Sequence, residues 1–463
     1  MKKKFLALFM TVSLVASLTA CGGGNNGAGT ESGTQSNSEA TQNNSEGGSD
    51  TQSNSEGGSD TASEGDNELT VWCWDPAFNI YAMEEAAKVY QQTNPDFVLN
   101  IEEVPRPDIL VRIMTAATSN DLSSLPDILL IQDTEFAKTV MTFPEVFDDL
   151  TDSGIDFDSF ASAKTAFSMV DGRNYGVPFD NGAAVAALRT DVLEEAGYTL
   201  EDFTDITWDQ WIEQGKDVLA KTGKPMNATT SGGAGFASMM LQSAGASYFD
   251  ADGNPDLVDN ELLIKTLETY KELVDAGVLL EVNGWDEYIG TIVNTVAVGT
   301  ISGCWILGTI QTAEDQAGLW GVTNMPRFAD VAEATNYANN GGSSWGITSN
   351  SKNKELAYDF MGSTFGGSVE FYETILESAG ALSTWIPAGD SDVYAEPQEF
   401  FEGQAIYSLI TDYAARIPSI NTGLFYAEAL DAVGTAVQRI RDGADIRTEL
   451  QEAQNTVEFQ MQD

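Results

Sequence analysis

Strand-like and helix-like segments alternate along the chain from residue 68 onward, and this pattern limits the possible folds more than any other feature. Residues 68–74 form an unbroken β-branched and aromatic run, and residues 80–92 place apolar side chains on one helical face. Further strand-like runs follow at 97–104 and 128–131. Such alternation predicts an α/β fold with a doubly wound parallel sheet.

Polar and aromatic residues directly follow two of these predicted strands. Trp74 and Asp75 come after the first strand, and Gln132 and Asp133 come after the third. Ligands of doubly wound sheets bind beyond the carboxyl ends of the strands. These positions are therefore candidates for a binding site.

The charge balance and the absence of histidine exclude several classes of function. The chain has 22 basic and 71 acidic residues, a formal net charge of −49, and no histidine. No nucleic acid partner is expected, because a phosphate backbone requires a basic face. Without imidazole, Ser-His-Asp and Cys-His catalysis and histidine-based zinc sites are excluded. An enzyme built from this chain would have to rely on carboxylates, tyrosine, lysine or serine.

The N-terminus has the layout of an export signal that ends at a cysteine. Three lysines at 2–4 precede an apolar run at 5–20, which is too short to span a bilayer, and Cys21 follows it. This resembles the bacterial lipoprotein signal, which implies that residues 1–20 are removed and that Cys21 is lipidated. The alternative is an ordinary signal peptide with an incidental cysteine. The lipoprotein interpretation places the protein on the extracellular face of a bacterial cytoplasmic membrane, Gram-positive in type, with the lipid as its only membrane contact.

Residues 21–67 combine the lipidated cysteine with a segment that cannot build a core. After Cys21 the only apolar side chains are Ala28, Ala40 and Ala62, and a ten-residue sequence recurs as TQNNSEGGSD and TQSNSEGGSD. A polar segment of this kind buries too little apolar surface to fold. We predict a disordered linker between the anchor and the folded part.

Two further patterns leave alternatives open. Cys73 and Cys304 each stand beside a tryptophan in an apolar run, which favours small buried side chains, although the two could also pair. The acidic and amide side chains between Asp250 and Glu261 have the spacing of an EF-hand-like calcium loop, but Pro255 stands where that loop requires glycine. An acidic turn before a helix explains the same residues.

Six landmarks occur in a characteristic order along the chain. They are ELTVWCWD (68–75) with TNPDFVLNIEEV (93–104), LPDILLIQD (125–133), DGRNYGVPFDNGAAVAALRTDVLEEAG (171–197), TWDQWIEQGKDVL (207–219), ISGCWILG (301–308) and NNGGSSWGITSNSKNKELAYDFMG (339–362). Together they resemble the extracellular solute-binding proteins of the maltose-binding type, which serve carbohydrate ABC importers. The resemblance covers residues 68 to about 460.

This resemblance implies a periplasmic-binding-protein-like fold in which a multi-segment hinge joins two doubly wound α/β lobes. By matching segments, lobe one would contain 68–178 and 328–378, and lobe two would contain 183–324 and 387–460. The chain would cross between the lobes near 178–182, 325–328 and 379–387. The ligand would be held in the cleft between the lobes.

The matched cleft segments carry aromatic plates and hydrogen-bonding groups, which suit the apolar faces and rim hydroxyls of a sugar ring. The candidate ligand-binding residues are Trp74, Asp75, Asp133, Asp180, Asn181, Trp285, Trp305, Trp345, Phe425 and Tyr426. For Asp75 and Asp133, a helix N-cap or a turn is the competing role. No catalytic residue, metal ligand or cofactor is predicted.

The function implied is that of a substrate-binding lipoprotein of an ABC importer. It would capture an oligosaccharide by hinge closure and deliver it to separate permease subunits with their ATPase, and we expect a monomer. Two alternatives remain. One is a receptor for another polar solute, such as a polyamine held by Asp75, Asp133 and Asp180. The other, less favoured, is a secreted glycosidase that uses two carboxylates.

Overall fold

The computed structural model describes residues 67–462. These residues form two five-stranded sheets and a two-stranded ribbon, with helices packed around them, so the predicted two-lobed α/β fold is confirmed. The predicted signal peptide (1–20), the lipidated Cys21 and nearly all of the predicted linker lie outside the described residues. Within residues 67–462, no helix is both long enough and apolar enough to cross a membrane.

The strands of the described part are short. They are β1 (Glu68–Cys73), β2 (Val98–Glu103), β3 (Ile128–Gln132), β4 (Met169–Val170), β5 (Arg173–Asn174), β6 (Gly176–Pro178), β7 (Ala184–Arg189), β8 (Asn227–Thr230), β9 (Leu279–Val282), β10 (Gly299–Gly303), β11 (Trp320–Thr323) and β12 (Ser343–Ile347).

Helices cover both faces of the sheets. They are α1 (Tyr81–Gln91), α2 (Arg106–Ser119), α3 (Asp133–Thr142), α4 (Ser162–Thr165), α5 (Thr190–Ala196), α6 (Trp208–Thr222), α7 (Ala234–Ser243), α8 (Glu261–Asp275), α9 (Gly284–Val293), α10 (Ile306–Gln311), α11 (Lys354–Ser363), α12 (Val369–Ala379), α13 (Ile406–Ala414), α14 (Tyr426–Arg441) and α15 (Ile446–Gln460). A short π-helical segment, Pro76–Ile80, precedes α1.

The first sheet has the strand order β2-β1-β3-β12-β6. The first three strands run parallel, as the sequence predicts, but β12 is antiparallel to both of its neighbours. Ser343, at the start of β12, pairs with Gln132, at the end of β3. The reason is that the chain enters β12 from the edge at which β3 ends, so it must run in the opposite direction.

The second sheet has the order β11-β7-β10-β8-β9. Strands β10, β8 and β9 are parallel, whereas β7 is antiparallel to β10 and β11. Parallel strands end at a common edge of a sheet, so the residues that follow β9 and β10 emerge at the same edge, on either side of β8. Trp285 and Trp305 are in these two positions.

Each sheet has its own apolar core. Around the first sheet, Val71 and Trp345 pack with Phe360 and with residues of α1 and α12. Around the second, Trp208 and Trp211 pack with residues of α8, α14 and α15 on one face, and α10 and α13 cover the other. The C-terminal helices therefore belong to the second lobe.

The chain passes between the two lobes in three neighbouring segments. The first lies at 179–183 and pairs with 338–343, because Asn340 N donates to the Gly182 oxygen at 2.7 Å and Phe179 N donates to the Ser343 oxygen at 3.0 Å. The third passes close by, since Thr384 Oγ1 donates to the Pro178 oxygen at 3.1 Å.

The second crossing differs from the prediction. Met325, Phe328 and Ala338 are buried in the core of the second lobe, and Asn336 Nδ2 donates to the Met325 oxygen at 2.8 Å. The segment predicted to cross, 325–328, therefore packs against the second lobe. The structure places the crossing about ten residues later, at 339–342, because the intervening apolar side chains are used by the second core.

Candidate functional site

The parallel strands of each sheet end beside the crossing segments: Asp133 N, after β3, donates to the Gly342 oxygen at 3.0 Å, and Cys304 N, after β10, donates to the Ala183 oxygen at 2.8 Å. From the first sheet, Trp74 and Asp75 follow β1; from the second, Trp305 follows β10. The segment Pro76–Ile80, directly after Asp75, contacts α10, directly after Trp305. The structure therefore places Trp74 and Asp75, predicted from a strand end, and Trp305, predicted from the family resemblance, on opposite sides of the boundary between the lobes.

Trp305 is hydrogen-bonded to the second crossing segment. Its indole Nε1 donates to the backbone oxygen of Asn340 at 2.8 Å, and its side chain is half-buried. Trp285 packs against Trp305. The centroids of the two rings are 5.6 Å apart, and the ring planes are inclined by 40°. Trp285 also packs on Tyr288, with centroids 5.4 Å apart. The two indoles form an angled apolar surface at the edge of the second sheet.

The opposite side of the cleft is built on a tight turn after β1. The buried Asn79 accepts backbone hydrogen bonds through Oδ1 from Trp74 at 3.0 Å and from Asp75 at 2.9 Å. Asp75 caps the short helix, because its Oδ1 accepts from Ala77 N at 2.9 Å. Burial raises the pKa of Asp75, and the N–H groups of Ala77 and Phe78 partly offset this. Asp75 thus has the capping role that the sequence allows, with its side chain half-exposed.

Asp133 is buried and fully engaged by the protein. Its carboxylate forms an ion pair with the buried Lys164 and accepts a hydrogen bond from Ser344 Oγ at 2.9 Å. Burial raises its pKa, and the ammonium of Lys164 acts in the opposite direction. The predicted role of Asp133 as a ligand contact is corrected: it holds the start of β12 and α4 in place.

Asp180 has a similar structural role at the first crossing. Its Oδ1 accepts from both Ser343 N, at 2.9 Å, and Ser343 Oγ, at 2.6 Å. Burial raises its pKa, with Lys164 opposing the shift. Because Asp180 is 3% exposed and bound to the second crossing, it ties two crossings together rather than facing a ligand.

Asn181, the next residue, is half-buried at the same crossing. Its Nδ2 lies 3.5 Å from the Ser383 oxygen of the third crossing, and its backbone oxygen accepts from Cys304 Sγ at 3.3 Å. Cys304 and Cys73 are both free and buried, in agreement with the interpretation as small core side chains, and burial raises the pKa of the Cys304 thiol to about 12. Asn181 remains a candidate ligand contact.

Two predicted aromatic contacts belong to the cores instead. Trp345 is fully buried in the middle of β12, with Phe179 and Phe365 at ring distances of 5.4 and 5.7 Å. Tyr426 is 8% exposed and packs on Tyr248, with centroids 5.3 Å apart. Each was assigned to the cleft by its neighbourhood in sequence. In the structure, the orientations of β12 and α14 direct these two side chains into the cores.

Phe425 stands at the start of α14 and is half-buried, and Lys138 of α3 lies over it, with Nζ 4.1 Å from the ring centroid. Lys138 also forms an ion pair with Glu428 of α14. Because α3 belongs to the first lobe and α14 to the second, this pair joins the lobes. Arg106 of α2 forms a further ion pair with Glu135 of α3, at 3.2 Å. We refer to Arg106, Glu135, Lys138 and Glu428 as the charged seam.

The sequence analysis did not identify this charged seam. Glu135 and Glu428 each retain one buried carboxylate oxygen with no hydrogen-bond partner among residues 67–462. Burial raises the pKa of Glu135, and Arg106 opposes the shift. The residues are dispersed over three helices and have no motif, so only the packing of α3 against α14 could identify them.

Two consecutive glycines let the second crossing approach Asp133 and Trp305 closely. Gly341 and Gly342 have φ angles of 103° and 105°, and a Cβ on Gly342 would stand 2.5 Å from Asp133 Oδ2. The preceding residue, Asn340, is half-buried, and its carboxamide makes no hydrogen bond within the described part of the chain. Asn340 is therefore an additional candidate ligand contact.

The acidic segment after residue 249 forms a turn. Asp250 Oδ1 accepts from the backbone N–H groups of Asp252 and Asn254, both at 2.9 Å. In the part of the chain that the structure describes, no group of three or more acidic, histidine or cysteine side chains is arranged to hold a metal ion. The hydrogen bonds of Asp250 account for the local sequence as an acidic turn.

Comparison with known proteins gives consistent matches over most of the chain. Residues 85–388 match the family described as bacterial extracellular solute-binding protein. The lactose-binding protein of Rhizobium radiobacter is 37% identical over 369 residues, which is 80% of this chain and 87% of that protein. An arabinooligosaccharide-binding protein of Bacillus subtilis is 24% identical over 383 residues, 81% of this chain and 87% of that one.

Solved structures share the fold at lower identity. The ABC-transporter-associated binding protein of B. animalis subsp. lactis Bl-04, in complex with β-1,6-galactobiose, superimposes with a TM-score of 0.70 at 20% identity and covers 84% of this chain and 96% of that one. The galacto-N-biose/lacto-N-biose I-binding protein of Bifidobacterium longum gives 0.69 at 19% identity, over 85% and 96%.

Proposed function

We propose, from the premise that the chain belongs to the bacterial extracellular solute-binding protein family, that it binds a neutral oligosaccharide for an ABC importer. The ligand would lie in the cleft between the lobes, against Trp305 on one side and Trp74 and Asp75 on the other. The lactose-binding relative makes a β-galactoside disaccharide the first ligand to test.

The observation that carries this proposal is the indole pair at the cleft edge. Trp285 and Trp305 offer apolar faces beside half-buried amides, Asn181 and Asn340, on the crossing segments. Sugar rings pack their CH faces on aromatic rings and exchange hydrogen bonds with amides and carboxylates. This combination suits a carbohydrate better than a wholly apolar or wholly charged solute.

The charged groups around the cleft support a neutral ligand. Three cationic side chains in this region already form ion pairs with carboxylates of the protein: Lys138, Lys164 and Arg106. None of these three is therefore free to bind an acidic sugar. Two of the carboxylates proposed for polyamine binding, Asp133 and Asp180, are engaged by Lys164 and Ser343. This weighs against the polyamine alternative.

Binding would act through closure of the hinge. Trp305 is hydrogen-bonded to the second crossing, and Lys138 of the first lobe forms an ion pair with Glu428 of the second, so the two lobes are in contact beside the proposed site. A ligand held by both lobes stabilises the closed form by its differential affinity. The closed surface would then be recognised by permease subunits, which work with a separate ATPase. We propose no enzymatic activity.

Calorimetric titration with neutral sugars and polyamines, side by side, tests this proposal. We expect saturable binding of at least one di- or oligosaccharide and none of spermidine. Trp305→Ala should weaken binding by about 2 kcal/mol or more, as expected for a buried aromatic anchor. Phe459→Ala, at an exposed site on α15, is the control and should leave affinity unchanged. Binding of spermidine alone would support the alternative and overturn the proposal.

We propose further that the protein is an extracellular lipoprotein, which the sequence of the N-terminus supports, and that it functions as a monomer. Lipidation of Cys21 would supply two or three acyl chains, enough for stable anchoring. We expect the wild-type protein to partition into the detergent phase after Triton X-114 extraction. The Cys21→Ser variant should remain in the aqueous phase. Equal partitioning of the two proteins would contradict lipidation.

A further inference from the structure

Three carboxylates share two cations where α3 of the first lobe meets α14 of the second. Within the charged seam, Arg106 pairs with Glu135 and Lys138 pairs with Glu428. The third carboxylate is that of Asp431, which follows Glu428 by three residues and therefore lies on the same face of α14. Its charge acts on Glu135 across the boundary between the lobes. The contact between the two helices therefore collects more negative than positive charge.

The elements packed against α3 and α14 do not correct this imbalance. No titratable side chain is present in β3, β12, α7 or residues 166–170. The charged and titratable contacts of α14 with its other neighbours lie at its far end. They are Arg439 with Glu449 of α15, Arg441 with Glu281 of β9, and Tyr270 of α8 with the same Glu281. The charge where the lobes meet is therefore determined by the charged seam together with Asp431.

The buried oxygens of the charged seam favour the binding of a proton. Glu135 Oε2 and Glu428 Oε2 have no donor among residues 67–462, and a buried acceptor without a donor is unfavourable. A protonated carboxyl group carries an O–H and can supply a donor. Burial raises the pKa of Glu135; Arg106 opposes the rise, and Asp431 adds to it. Burial raises the pKa of Asp431 as well.

We propose that the charged seam and Asp431 couple closure of the lobes to the uptake of a proton, so that the protein binds its sugar more tightly in mildly acidic than in alkaline surroundings. The inference rests on the proposed function, in which closure accompanies binding. One proton neutralises the excess negative charge and leaves two carboxylates for the two cations.

The sign of the effect follows from what opening would change. Separation of α3 from α14 would return the carboxylates to water and remove the charge of Asp431 from Glu135. Their pKa values are therefore higher in the closed form than in the open form. The closed form is then favoured as pH falls through this interval, because it binds the additional proton. A difference of one pKa unit changes the ratio of the two forms by at most about tenfold.

Calorimetric titration with lactose and with arabinotriose, at pH 5.5 and pH 7.5 in buffers of different ionisation enthalpy, measures both affinity and proton uptake. For a sugar that binds the wild type, we expect an affinity about three- to tenfold higher at pH 5.5, with uptake of up to about one proton. Asp431→Asn removes one negative charge and keeps both ion pairs of the charged seam. It should bind more tightly than wild type at pH 7.5 and lose most of the pH dependence.

Two further variants keep the comparison specific. Glu135→Gln should also reduce the pH dependence, and circular dichroism should show that every variant is folded. Asp275→Asn, at a 59% exposed position on α8, is the matched control and should keep the wild-type pH dependence. Asp75 and Asp133 are present in all these proteins, so their own titration cancels in the comparison.

The outcomes separate the inference from the function on which it rests. The same pH dependence in wild type and Asp431→Asn, or a wild-type affinity that falls toward pH 5.5, would overturn the coupling and leave the proposed function intact. If neither sugar binds, small-angle scattering of the ligand-free proteins tests the coupling by itself. Asp431→Asn should then have a smaller radius of gyration than wild type at pH 7.5, and equal radii would overturn the coupling.

Discussion

Replacement of Lys164 by methionine should strongly destabilise the first lobe. Lys164 and Asp133 form an ion pair whose side chains are 6% and 4% exposed. Methionine fills a similar volume but leaves the carboxylate of Asp133 with Ser344 as its remaining side-chain donor. Removing one partner of a buried pair costs about 3–5 kcal/mol. In a cooperative unit of about 200 residues, this corresponds to a fall in Tm of roughly 10 °C.

The loss of stability should depend on pH in a defined direction. Burial already raises the pKa of Asp133 above its value in the unfolded chain, and Lys164 opposes that rise. Without Lys164 the folded-state pKa is higher still. A carboxyl group whose folded pKa exceeds its unfolded pKa makes the folded state less stable as pH rises through that interval. The difference between Lys164→Met and wild type should therefore be largest near pH 8 and smaller near pH 5.

Differential scanning calorimetry of ligand-free protein at several pH values measures both effects, because bound ligand would add its own stabilisation. Lys271→Met is the matched control: its partner Asp275 lies one helical turn away and is 59% exposed. An exposed pair of this kind contributes about 0.5 kcal/mol or less. A Lys164→Met variant as stable as the Lys271→Met variant at pH 8 would refute the reasoning, as would a penalty that grows toward low pH.

Two other substitutions test the seam and the core. Glu428→Gln removes the charge partner of Lys138 between the lobes, so small-angle scattering of the ligand-free protein should show a larger radius of gyration; an unchanged radius would contradict a role in closure. Trp345→Ala should reduce unfolding stability by about 3–5 kcal/mol, as a large cavity in a core does, while the folded fraction keeps wild-type sugar affinity. A loss of sugar affinity without a loss of stability would indicate instead that Trp345 contacts the ligand.

The sequence predicts the framework of the first lobe well, because local periodicity determines it. The first three strands and α1 lie within two residues of their predicted positions. The antiparallel course of β12 was not predicted, since it depends on the edge at which the chain returns from the other lobe. The crossing at 339–342 was placed too early for the same reason: apolar residues at 325–338 fit either core by composition.

The candidate site is only partly accessible from sequence. A strand end predicted Trp74, the family resemblance predicted Trp305, and the structure places the two on opposite sides of the boundary between the lobes. The strand-end argument also selected Asp133, whose partner Lys164 lies 31 residues away and has no pattern linking it to the strand. Whether a carboxylate faces solvent or a buried ammonium depends on tertiary packing, which periodicity does not contain. The seam between Lys138 and Glu428 was missed for that reason.

A crystal structure of the protein with the tightest-binding sugar of the titration panel tests the central claim most directly. We predict that the sugar lies between the lobes, with one ring packed on the Trp305 indole and polar contacts from the side of Trp74 and Asp75. A sugar bound on an outer face of either lobe, or one that leaves Trp305 without contact, would contradict the claim.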